Sequence, residues 1–96
     1  MIQDIYRFEF FEDVSLTDIE ETLLLAIVAT ESLHGESQAR LDVGHYFDPT
    51  VRACVIDAGT AAGRDLNRLF VGFLRREYGD DSFRVQRTTP QETTQA

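Results

Sequence analysis

The chain has 96 residues, 43% of them hydrophobic and 27% charged, with a net charge of −8. That length makes one domain with a modest core, and no apolar run approaches the ~20 residues of a membrane span. The single cysteine, Cys54, excludes an internal disulfide, a thiolate cluster and a CxxC pair, and the acidity argues against nucleic acid, whose phosphates would repel it.

The charge is unevenly placed. Residues 1–36 hold nine acids against Arg7, whereas residues 37–96 hold eight acids and eight arginines. All nine basic residues are arginine, whose planar fork pairs with carboxylates and buries more readily than an ammonium group. Met1-Ile2-Gln3-Asp4 places an acid where a signal peptide needs a basic region, so the expected location is the cytoplasm.

Ile5–Phe10 alternates with period two, placing Tyr6, Phe8 and Phe10 on one face and Arg7 and Glu9 on the other, as in a half-buried strand. Ser15 or Thr17 caps the next segment, and Thr17-x-x-Glu20 fits a capping box. The helix that follows runs to Leu33 or His34, where Gly35 supplies a left-handed stop. From Gln38 to Phe47 the alternation of Leu41, Val43 and Phe47 with Arg40, Asp42 and Tyr46 predicts a second strand. Asp48-Pro49-Thr50 is a turn signal, and Val51–Asp57 reads as a third, more central strand. After Gly59, Thr60 caps a second helix that ends at Tyr78 before Gly79; Ser82–Arg87 is a last short strand.

The order strand, helix, strand, strand, helix, strand predicts an α+β fold: a ferredoxin-like βαββαβ sandwich, with a four-stranded antiparallel sheet and two helices on one face. Residues 1–87 form this single domain. The Thr/Gln-rich tail 88–96 is expected to be disordered.

The first helix is apolar all the way round. At about 100° per residue, Leu16, Ile19, Leu23, Ala26, Ile27, Thr30 and Leu33 form the sheet-facing stripe. Val28 falls almost opposite, flanked by Leu24 and Leu25 and bordered by Glu21 and Glu31. In the second helix Leu66, Leu69, Phe70, Phe73 and Leu74 form the inner stripe, while Arg64, Arg68 and Arg75 line the far side with Val71 beside them. An acidic-apolar strip and a basic-apolar strip on one outer surface predict a protein partner: a homodimer, or a place in a larger assembly.

Other chemistry is weakly signalled. Gly59, Thr60, Gly63 and Arg64 join a strand to a helix start and form the best candidate for a small anionic ligand, which would make the chain a sensing domain. Their spacing fits neither a P-loop nor a dinucleotide fingerprint. His34, His45 and Cys54 lack the spacing of a metal site, so no metal and no cofactor are expected. The carboxylate pairs Glu12-Asp13, Glu20-Glu21 and Asp80-Asp81 sit at element ends, and none sets an acid against a base. The expectation is a non-enzymatic module without a nucleic-acid or membrane partner.

Overall fold

Phe8 and Phe70 meet edge to face at 5.0 Å in the middle of the protein, both fully buried. Around this contact the computed structural model describes residues 4–88 as an α+β unit with a four-stranded antiparallel sheet and three helices. Strands β1 (Ile5–Phe10), β2 (Gly44–Asp48), β3 (Ala53–Asp57) and β4 (Phe83–Thr88) lie in the order β2-β3-β1-β4. Helices α1 (Leu16–His34), α2 (Glu36–Asp42) and α3 (Ala61–Tyr78) complete the unit, with a 3-10 turn at Asp80–Ser82.

The alternation in β1 fixes which sheet face is buried. Phe8 stands opposite Cys54 and Val85, and Phe10 opposite Phe83, so these residues share the face that α1 and α3 cover. Arg7 and Glu9 take the other face, where Glu9 meets Arg7 at 3.3 Å and Arg84 at 3.8 Å. Leu66, Phe70 and Leu74 of α3 and Ile19, Leu23 and Ala26 of α1 close the core.

Three sequence expectations need correction. Residues 38–42 are helical rather than extended, so there are three helices and not two. Gly35, at φ +86°, ends α1 and lets α2 begin at the next residue. Pairs four residues apart then support this short helix, Arg40 with Glu36 at 2.9 Å and Gln38 with Asp42 at 2.7 Å. Ala39 is its buried residue while Leu41 is 82% exposed, so the apparent period-two pattern was spurious. Arg40 and Asp42 therefore lie on a helix, not on the predicted second strand.

Second, of the two candidate caps Ser15 is the one used, two residues before Thr17, its hydroxyl accepting from Asp18 N–H at 3.4 Å, so the Thr17 capping box does not form. Third, Leu33 is 67% exposed, because the last turn of α1 is held by other contacts. One of these is His34, whose Nε2–H donates to Asp65 of α3 at 2.7 Å. The tail expected to be disordered begins at Thr88, which ends β4 instead; its remainder lies outside the described residues.

The connection from β1 to α1 depends on Arg52, a residue of the β2–β3 turn. Its guanidinium donates to the carbonyl oxygens of Phe10 (3.1 Å), Phe11 and Val14 (2.5 Å). Its own carbonyl accepts from Phe10 N–H at 3.0 Å. The residue adopts φ +53°, a conformation costly for any side chain with a Cβ, and the hydrogen bonds offset that cost. We expect Arg52→Ala to lower stability in urea by about 2–3 kcal/mol, because hydrogen bonds to charged groups are worth more than neutral ones. Arg52→Lys should recover less than half of the loss, since an ammonium cannot fork across three carbonyls.

Candidate functional site

The outer surface of the helix layer is built by the way α1 and α3 pack. They run antiparallel: Thr22 near the start of α1 meets Tyr78 at the end of α3, hydroxyl to hydroxyl at 3.2 Å, while His34 and Asp65 join the opposite ends. Thr22 also donates to Asp18 O at 2.9 Å. Between the helices lies an open cleft of about 490 Å³, lined by Asp18, Glu21 and Leu25 on one side and by Phe73, Arg76 and Glu77 on the other.

On the outside of α1, Leu24, Leu25 and Val28 are 56%, 58% and 56% exposed. The inner positions of α1 are used by Ile19, Leu23, Ala26 and Thr30, which are buried. Leu25 faces Phe73 across the cleft, and Leu69 and Phe73 are only half-buried. The apolar surface thus continues from α1 onto α3, a continuation missed when Leu69 and Phe73 are assigned wholly to the core. Glu21 borders the cleft, whereas Glu31 faces α2 and lies 3.7 Å from Arg40. Removing the three exposed side chains from water would contribute roughly 1–2 kcal/mol each.

Arg76 of α3 lines the cleft, whereas Arg64, Arg68 and Arg75 belong to the solvent-exposed surface of α3. Arg64, Arg68 and Arg75 are exposed and Val71 beside them is half-buried. Arg68 approaches Asp65 at 3.8 Å and Arg75 approaches Asp80 at 2.9 Å, both as exposed pairs of small energetic weight. The row therefore leaves positive charge on the exposed surface of α3.

Several groups of the turn Gly59–Arg64 are engaged within the chain. Gly59 N–H donates to the Asp57 carboxylate at 2.9 Å, and Gly63 N–H donates to Thr60 Oγ1 at 3.0 Å. Thr60 Oγ1–H donates to Asp42 O at 2.8 Å, which ties α2 to the start of α3. The two glycine amides that a bound anion would use already have partners, and one of those partners is itself an anion. Gly63 has a packing role: a Cβ there would lie 2.2 Å from the Asp57 carbonyl oxygen.

His45 lies on the edge strand β2 and Cys54 in the core, so His34, His45 and Cys54 do not converge. Among the described residues no group of three or more His, Cys, Asp or Glu is arranged to hold a metal ion, and no helix is long and apolar enough to cross a membrane. Burial pushes the Cys54 thiol up to about 12, far from the thiolate that nucleophilic chemistry needs. The chain matches no known protein family, no curated protein and no solved structure.

Two measurements follow from these placements. Gly63→Ala should cost about 1–3 kcal/mol through overpacking against Asp57. Gly72→Ala should instead add about 0.5–1 kcal/mol, because Gly72 is an exposed mid-helix position with nothing within 4 Å of its would-be Cβ. Both are read by urea denaturation at low protein concentration.

The Cys54 thiol sets an alkaline limit. The unfolded thiol ionises near its ordinary value while the folded one stays neutral to about 12. Its contribution is therefore complete below the unfolded value and is lost as pH rises through that window, at about 1.4 kcal/mol per pH unit. Cys54→Val should show a shallower loss of stability above pH ~9 than the wild type, measured by urea titration at each pH.

Proposed function

We propose that this protein is a small non-enzymatic interaction module that self-associates through the outer faces of α1 and α3. The observation that carries this reading is the surface of Leu24, Leu25 and Val28, three side chains more than half exposed on consecutive turns and continued by Phe73. Scattered surface leucines are ordinary, but these adjoin one another and an open cleft between the helices. The non-enzymatic part is supported by Cys54, the one thiol, which is buried and neutral.

We also read the architecture as ferredoxin-like, with α2 as an addition before β2. The sheet order β2-β3-β1-β4 supports this, since β1 and β3 are central and each long helix connects a central strand to an edge strand. In such a layout both long helices cover one sheet face and turn their remaining sides outward, which is what the proposed surface needs.

Light scattering across a concentration series tests the function. The wild type should exceed the 10.9 kDa mass of one chain, and Leu25→Glu/Val28→Glu should stay at that mass while retaining a cooperative thermal transition. A wild type that stays at the single-chain mass at every concentration overturns self-association. A wild type and variant that associate equally place the contact elsewhere and overturn this surface.

A further inference from the structure

We infer that the partner on this face is a second copy of the chain, docked about a two-fold axis that runs parallel to the helices, so that α1 of each copy lies over α3 of the other. This arrangement rests on the self-association reading above, and charge selects it. Helix α1 carries Asp18, Glu20, Glu21 and Glu31 and no Lys or Arg; α3 carries Arg64, Arg68, Arg75 and Arg76 against Asp65 and Glu77. A two-fold axis across the helices would stack α1 on α1 and α3 on α3, setting like charges against each other. An axis along the helices sets acid against base.

The antiparallel packing within one copy then fixes the register. Thr22 and Tyr78 stand at the same height along the helices, as do His34 and Asp65. An axis along the helices preserves height, so Glu20 and Glu21 of one copy stand over the C-terminal half of α3 in the other, with Arg75. The apolar side chains of the two copies meet between these charged edges.

Gly72 supplies a second, independent observation. Gly63 is explained by its close approach to Asp57, but Gly72 is exposed and meets nothing within its own chain. It lies one turn from Arg68 and from Arg76, on the side of α3 that faces away from the sheet. A bare backbone there lets a helix of the second copy approach closely, which accounts for a residue that weakens an isolated helix. The face measures about 27 Å along the helices by about 20 Å across, on the order of 1,000 Å² for both copies together. That is the small end of specific interfaces, so the dimer should be reversible and dissociate on dilution.

Charge-swapped chains test the arrangement by sedimentation. Glu20→Arg/Glu21→Arg and Arg75→Glu/Arg76→Glu should each weaken homodimerisation by about tenfold or more, and an equimolar mixture should recover a heterodimer of near wild-type affinity. Gly72→Leu, placed in open space, should leave the monomer folded and at least as heat-stable while weakening the dimer about tenfold or more. If the wild type dimerises and Leu25→Glu/Val28→Glu does not, yet the mixed charge variants fail to pair, the surface stands and this docking is overturned. Undiminished dimerisation of Gly72→Leu likewise overturns the close approach at α3. A wild type that is monomeric throughout removes the self-association reading itself.

Discussion

The fold depends on covering one face of a four-stranded sheet with only two long helices. Phe8 at the centre of β1 marks the middle of that face, and Phe70 of α3 closes over it while Phe10 and Phe83 extend the aromatic cluster. Each helix can turn only about a third of its circumference toward a sheet. In α3 the remainder is largely charged. In α1 it is not: the sequence Leu23–Ala29 is apolar throughout, so the geometry that buries Leu23 and Ala26 necessarily leaves Leu24, Leu25 and Val28 outside. The surplus surface is thus a consequence of the layer arrangement acting on an unusual helix.

Around this core, polar groups hold the connections. Arg52 serves the loop between β1 and α1, where several carbonyls would otherwise lack donors. The Asp57 carboxylate and the Thr60 hydroxyl close the turn into α3, and Thr60 reaches Asp42 to anchor the short helix α2. Asp4 does the same at the end of β4, where its hydrogen bond and charge raise the ionisation of Arg87 above the ordinary arginine range. These contacts engage the residue types that most resembled a binding site, including the glycine amides of residues 59 and 63. An anion at a glycine-rich helix start would compete with side chains for amides such as those of Gly59 and Gly63. Here a neighbouring side-chain carboxylate and a cap hydroxyl take them.

Much of the fold was legible because period and punctuation agreed. Tyr6, Phe8 and Phe10 alternate as the sheet requires, and Gly35, Thr60 and Gly79 sit at helix ends where their backbone or hydroxyl is needed. The misreading at residues 38–42 arose where the two signals separated. Leu41 and Val43 mimic alternation, but the decisive terms were pairs four residues apart and a glycine able to start a second helix at once. Arg52 was illegible for a different reason. Nothing in Thr50-Val51-Arg52 indicates that the guanidinium will reach carbonyls some forty residues earlier in the chain.

The sequence by itself determined which side chains are surplus to the core. Leu24, Leu25 and Val28 lie opposite Ile19 and Leu23 on any α-helix, whatever it packs against. It also determined that acids gather on α1 and arginines on α3. Only the tertiary structure decided how those features are disposed. It ran the helices antiparallel, set Leu25 and Phe73 on the two sides of one cleft, left Arg64, Arg68 and Arg75 exposed and left Gly72 bare between charged neighbours. A helical wheel gives directions around one axis. Relating two axes requires the sheet that both helices share, and that relation makes two separate stripes into one face with an acidic and a basic edge.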